Sequence, residues 1–422
     1  MNLPGHAPSC NDDFEPGVLS VAQARRTILD AVIPITGAEP TALRNALRRV
    51  LARPLIAPMN VPGHRNSAVD GYALAGDALP REGHKDFSIA ATAWAGTRDA
   101  GYCTPGACVR IMTGAPMPDG ADTVVMREHA ETPANGLARI GGGHRVGQNV
   151  RQAGEDIAVG APVFPAGQRL GPAELGVLAS LGLTEIPCLR RPTAAILSTG
   201  NEIREPAPGV RPEPGQLFDS NRYILRGLLQ RLDLEVLDLG LVDDDPGALR
   251  TALEEATRRA DVVITSGGVS TGDADYVKPV LKELGDLAFW KIAMKPGRPL
   301  SFGRIGDAAF FGLPGNPVAV AVTFYQFVQP ALERLAGTEP AEPLLIPARS
   351  VRAIRKRPGR AEFIRAVFRN TPEGWEVRDL DAQGSGVLTS MSRANGFIVL
   401  DEACAGVAAG DRVNVQPFQG LM

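Results

Sequence analysis

Residues 193–200, TAAILSTG, decide the fold. A short apolar run closed by Ser, Thr and Gly reads as a strand buried on both faces, with a turn at its carboxyl end. The chain beyond Gly200 alternates in the same way. SNRYILRGLLQRL (220–232) carries apolar residues at helical spacing, LEVLDLGLV (234–242) is strand-like, PGALRTALEEATRRA (246–260) is helical and DVVITSGG (261–268) is a strand again. YVKPVLKEL (276–284) reads as a helix, while AFWKIAM (288–294) and AAFFGLP (308–314) read as extended. PVAVAVTFYQFVQPALERLA (317–336) reads as a long helix that Pro330 kinks. Such alternation predicts a three-layer α/β domain over 184–342 with a largely parallel sheet.

Working outward, residues 1–19 read as a flexible tail. SVAQARRTILDAV (20–32) starts on Ser20 with Gln23 three residues later, a capping box, and TALRNALRRVLARP (41–54) predicts a second helix with Thr41 as N-cap and Pro54 as stop. These segments, 20–56, join 151–183 as a small, discontinuous, α-containing linker domain. The glycine, proline and short apolar runs of 57–150 predict a β-rich insertion domain, and 343–422 a C-terminal β domain.

Composition narrows the function. The 422 residues are 44% apolar and 22% charged, with a formal charge of -3, which argues against broad nucleic-acid binding. No apolar run reaches the roughly 20 residues that span a bilayer, and the N-terminus lacks the features of a signal peptide, so a cytoplasmic protein is expected. The five cysteines form no CxxC pair and the five histidines no HxH or HExxH spacing, which makes a transition-metal site unexpected.

In an open α/β sheet the ligand crevice lies outside the carboxyl ends of the strands. Here those ends are STGNE (198–202), VDDDP (242–246), TSGGVSTGDAD (265–275) and LPGNP (313–317). Small, glycine-bearing loops of this kind form an anion-binding rim, for which Ser198, Thr199, Gly200, Ser266, Gly267, Gly268, Ser270, Pro314, Gly315, Asn316 and Pro317 are candidates. Asp245 before Pro246 reads as an N-cap, leaving Asp243 or Asp244 to face the crevice. Asp273 and Asp275 either cap the next helix or hold a bridging cation. Only six of the 44 cationic side chains are lysine, and two of them, Lys291 and Lys295, stand four apart in KIAMKPGRP. On one continuous strand, residues 291, 293 and 295 share a face and the two lysines stand roughly 13 Å apart. Lysine offers a compact ammonium that arginine cannot replace.

SAVDGYA (67–73), VRIMTGAPMPDGADTVV (109–125), GEDI (154–157), STGNE, FDSNRY (218–223), TSGGVSTGDADY, KIAMKPGRP, LPGNPVA and GSGVLTSMSRANG (384–396) occur in one order. In that order the chain resembles the MoeA family of molybdopterin molybdenumtransferases, which also includes the C-terminal domain of gephyrin. The resemblance, over about 20–420, implies four domains, one with the molybdopterin-binding fold of MogA, and a homodimer whose active site is shared between subunits. It places functional carboxylates at Asp70, Asp156, Glu202, Asp244 and Asp275. Other functional positions fall on Thr113, Lys291, Lys295, Pro314 and Pro317. The implied reaction joins adenylyl-molybdopterin and molybdate with Mg²⁺, held by Asp244 and Asp275, and releases AMP. Asn201, Thr271 and Arg298 stand where the family often has Asp, Val and Lys. A scaffold protein and an adenylyltransferase remain alternatives on the same fold. Contacts with the adenylyltransferase and with molybdoenzyme chaperones are implied partners; nucleic acid and membrane are not.

Overall fold

A computed structural model of the chain describes residues 18–97, 100–267 and 277–418. They fall into two compact units: one up to Glu39 and from Leu189 onward, the other Pro40–Cys188.

The first unit is built on the alternation of strand and helix that begins at residue 193. Its strands are β1 (Thr193–Thr199), β2 (Glu235–Val242), β3 (Val262–Ser266), β4 (Gly285–Ile292), β5 (Pro299–Ile305) and β6 (Ala308–Leu313). In space they run β4, β5, β6, β3, β1, β2, with Val18–Leu19 added outside β4. Only β5 is antiparallel to its neighbours. The helices are α1 (Val21–Ala31), α2 (Asn221–Arg231), α3 (Pro246–Arg259), α4 (Val277–Leu284) and α5 (Pro317–Thr323). A π turn at Phe324–Val328 follows α5 and precedes Pro330, and a last helical segment, Gln329–Leu335, continues it.

Both faces of the sheet are covered, which is why its strands are apolar without interruption. Ile196, Ile264 and Phe311 pack in one core with Ile28, Leu225 and Val320. Their chain neighbours Leu197, Val263 and Phe310 pack in another with Leu249, Leu253 and Leu281. Register levels the strand ends: Ser198 lies beside Ser266, and Ser266 beside Leu313. The loops after β1, β3 and β6 therefore leave the sheet at one height.

From Ile346 the chain closes a five-stranded barrel of Ile346–Ser350, Ala361–Thr371, Gly374–Asp379, Gly396–Leu400 and Arg412–Pro417. Ile364, Val377, Ile398 and Val415 fill it. The second unit carries a six-stranded sheet within residues 71–141, and a separate core in which Leu178 of the helix Pro172–Ser180 meets Leu51 and Leu170.

Three expectations change. Residues 18 and 19, assigned to the tail, pair with Lys291 and Ile292. Helix α1 has its Ser20–Gln23 capping box, but Ala24 and Ile28 pack in the α/β core instead of a linker domain. The helix expected over 41–54 is absent: a strand (Ala38–Ala42) and a short 3₁₀ turn (Leu43–Asn45) stand there, and Arg48 has φ +65°. Backbone N–H groups of Leu43, Arg48 and Leu51 donate to Thr184, Leu170 and Gln168, so cross-chain pairing takes the bonds a helix would use.

Ile264 is fully buried at the middle of the sheet. Ile264→Ala is expected to remove about 2–5 kcal/mol from the urea unfolding transition of this unit, read by far-UV circular dichroism.

Candidate functional site

The level strand ends of the α/β sheet support four convergent loops. After β1, Gly200 has φ +139°, and a Cβ there would lie 2.8 Å from the Glu202 carboxylate. After β3, Gly267 has φ +92°, and a Cβ would lie 2.6 Å from the Thr199 carbonyl oxygen. Glycine is favoured at both positions by conformation, and at Gly267 also by its close approach to backbone. The loop after β2 joins the same rim, because the Asp244 carboxylate accepts from the Asn201 backbone N–H at 3.2 Å. Asp245 caps α3 through the Ala248 N–H at 2.8 Å, as expected. Asn221 ties the other two loops, donating to Ser266 Oγ at 2.7 Å and the Gly315 carbonyl oxygen at 2.6 Å. The hydroxyls of Ser198, Thr199 and Thr265 are buried without a hydrogen-bond partner among the described residues.

In front of this rim the barrel completes a cavity of about 720 Å³. Its α/β side presents Glu202, Gly267, Pro314, Gly315 and Asn316; its barrel side presents Arg355, Arg360, Glu362, Arg365 and Asp379. Lys295 and Arg298 lie at the junction. Five cationic groups thus face three carboxylates, an excess that favours an anionic ligand. Arg365 is 1% exposed. It donates to neutral oxygens only among the described residues: Ser390 Oγ at 3.0 Å and the carbonyls of Ala382 at 3.1 Å and Gly384 at 3.0 Å. Burial lowers its pKa. Lys295 Nζ stands 3.6 Å from Glu362 on the barrel.

The lysines are not arranged as one strand would place them. Strand β4 ends at Ile292, and Met294–Lys295 pair instead with Ala361–Glu362 in the barrel. Ala293, expected on the same face as the two lysines, is buried like Ile292 and Met294. The chain changes sheets at Ala293, so the two-residue period restarts there. Lys295 lines the cavity; Lys291, exposed on β4 opposite Pro299, is not among the described lining residues.

Asp70, Thr113 and Asp156 belong to the second unit. Asp70 accepts from the Thr113 N–H and hydroxyl, both at 2.7 Å. These bonds, first the backbone one, hold its carboxyl below the usual aspartate range. Asp156 is exposed, and its N–H donates to Val61. Pro317 opens α5. Gly268, Ser270 and Asp275 lie outside the described residues.

Sequence reasoning missed the barrel's contribution. The signal was present as six cations within 352–365, in RAIRKRPGRAEFIR. It also missed Asn221, although FDSNRY contains it.

The fold and crevice define a multidomain α/β protein with a predominantly cationic cleft between a doubly covered sheet and a β-barrel. Three family models match in series: the MoeA N-terminal region (domain I and II) over residues 19–182, a probable molybdopterin binding domain over 195–334, and the MoeA C-terminal region (domain IV) over 347–418. The chain is 39% identical to a molybdopterin molybdenumtransferase of Haemophilus influenzae over 407 residues, 96% of this chain and all of that one. Gephyrin of Dictyostelium discoideum is 29% identical, with 89% of this chain and 58% of that protein covered. The crystal structure of the molybdopterin biosynthesis moeA protein from Pyrococcus horikoshii superposes with a TM-score of 0.84 at 26% identity, covering 95% of this chain and all of that one. The chain belongs to the MoeA family. No helix among its described residues is long and apolar enough to cross a membrane.

Because its pKa is depressed, Asp70 keeps its bonds to Thr113 above the unfolded-state value of about 3.9 and loses them as pH falls through the lower folded value. Carboxyl carbon NMR should place its midpoint below about 3.9, and Thr113→Val should raise it. Gly267→Ala should weaken ligand binding at the crevice, measured by calorimetry, by about tenfold or more, because a Cβ cannot fit against Thr199.

Proposed function

We propose that this chain is a molybdenum insertase of cofactor biosynthesis, a transferase that converts adenylyl-molybdopterin and molybdate into the molybdenum-loaded pterin with release of AMP. The observation that carries the reading is Arg365, a buried guanidinium with neutral partners among the described residues, in a cavity shared with Lys295 and the Pro314–Gly315 loop. An uncompensated buried charge is costly, and a tetrahedral oxyanion on the cavity side supplies the missing countercharge. Lys295, Arg298 and Arg365 hold that oxyanion; the glycine-lined rim of Thr199, Gly200, Ser266 and Gly267 takes the pyrophosphate of the nucleotide-linked pterin.

Carboxylates repel both substrates when ionised, so they need another role. Glu202 lines the same cavity from the α/β side, and its role in this reading is to give a proton to a departing molybdate oxygen. Asp244, whose Oδ2 accepts from the Asn201 N–H, would hold Mg²⁺, with Asp275 as its expected companion. Mg²⁺ there supplies charge neutralisation at the pyrophosphate. A homodimer that brings Asp70 and Asp156 to the partner subunit's cleft belongs to the same proposal, as do contacts with the adenylyltransferase and with molybdoenzyme chaperones.

Purified protein incubated with adenylyl-molybdopterin, Mg²⁺ and molybdate should release AMP in proportion to the metal retained. AMP release without molybdate would overturn the reading, and consumption of ATP with release of pyrophosphate would favour adenylylation instead. Lys295→Gln and Arg365→Gln should each lower kcat/KM for molybdate by about 10- to 100-fold, the worth of one charge-assisted contact. Lys291→Arg should stay within a few-fold of wild type; Glu202→Gln should fold normally and lose turnover.

A further inference from the structure

One side chain joins the loop after β3 to the loop after β6. Asn221, first residue of α2, donates from Nδ2 to Ser266 Oγ at 2.7 Å and to the Gly315 carbonyl oxygen at 2.6 Å. A carbonyl only accepts, so the Gly315 contact fixes which end of the amide carries nitrogen, and both Nδ2 hydrogens are then engaged. Ser266 Oγ receives one of them, so its own O–H is left to donate elsewhere. The opposite end of the amide, Oδ1, is buried without a partner among the described residues. Leaving a buried acceptor unpaired is unfavourable. The fold tolerates it where its two glycine loops meet: a Cβ on Gly315 would lie 4.0 Å from the Gly267 Cα.

We propose that Asn221 is a positioning residue that clips the Ser266–Gly267 loop to the Pro314–Gly315 loop and commits the Ser266 hydroxyl to donate to a pyrophosphate oxygen. This rests on the reading of the rim as a pyrophosphate site. The clip adds a side-chain tie to the backbone bond between these segments, from the Gly267 N–H to the Leu313 carbonyl oxygen at 3.2 Å. Ser266, the buried last residue of β3, is already held by the Asn221 amide, so its hydroxyl needs no reorganisation when the anion arrives.

Asn221→Asp tests the clip. A carboxylate facing the Gly315 carbonyl cannot donate when ionised and can restore one of the two donated bonds once protonated, so its deficit should shrink at low pH. The probe is inorganic pyrophosphate, titrated calorimetrically into the full chain at about pH 8 and about pH 5, with each affinity expressed relative to wild type at the same pH. That ratio removes the titration of pyrophosphate itself, and the charged groups around the clip, Asp219, Arg222, Glu202 and Asp244, are common to both proteins. The variant should bind about tenfold more weakly at the higher pH and recover part of that loss, about threefold, at the lower one. Ser266→Ala should bind about tenfold more weakly at both. Wild-type affinity of Asn221→Asp at the higher pH, or an equal deficit at both, overturns the proposal. If Asn221→Asp does not fold, Ser266→Ala decides: wild-type affinity there overturns it. A wild-type chain that binds no pyrophosphate overturns it as well. Wild-type binding of pyrophosphate without molybdate-dependent AMP release would instead refute the insertase reading, and leave the variants to judge the clip.

Discussion

One buried guanidinium holds the connection from which the crevice is made. Arg222, 6% exposed at the start of α2, bonds Asp219 at 3.1 Å, Asp238 of β2 at 2.7 Å, and Glu205. Burial works against its charge, but the pairs with Asp238, Asp219 and Glu205 outweigh it and raise its pKa. Tyr223 adds a bond from its hydroxyl to Glu205 at 2.9 Å. The long excursion between Glu202 and Phe218 is thereby tied to the sheet at both ends, and Asn221, one residue before Arg222, is brought to the loops after β3 and β6. Removing the guanidinium would leave Asp219, 4% exposed, as a buried carboxylate without its cation.

The site divides its chemistry between two architectures. The parallel sheet contributes what its topology makes easy, a set of turns at one height with glycines, hydroxyls and carboxylates. The barrel contributes positive charge, with Arg355, Arg360 and Arg365 on its side of the cavity. The two are joined by the chain itself, since Ile292 ends a strand of the sheet and Met294 begins pairing with the barrel. The barrel loop also touches the rim directly: the Val318 N–H donates to the Ser385 carbonyl at 3.2 Å. An oxyanion placed there meets neutral donors from one side and cations from the other.

What could be read from sequence was read where local rules decide. The Ser20–Gln23 box, the Asp245–Pro246 cap and the strand ends at Thr199, Val242, Ser266 and Leu313 all depend on residues a few positions apart, and all stand in the structure. The errors arose where distant chain competes. TALRNALRRV has helical periodicity, but carbonyls at 168, 170 and 184 take its N–H groups. KIAMK alternates like a strand, yet the sheet it belongs to changes at Ala293. The barrel arginines were visible as charge and not as a site, because nothing local says that residue 365 faces residue 202.

By itself the sequence determined the order of elements, the parallel α/β core and the loops at its carboxyl edge, because apolar period and turn chemistry are short-range properties of the chain. Only the tertiary structure decided which lysine enters the cavity, which arginines face it and which asparagine clips its rim. Those are matters of register and closure between segments far apart in the chain, where one residue of slip reverses a side chain and no local pattern records the partner.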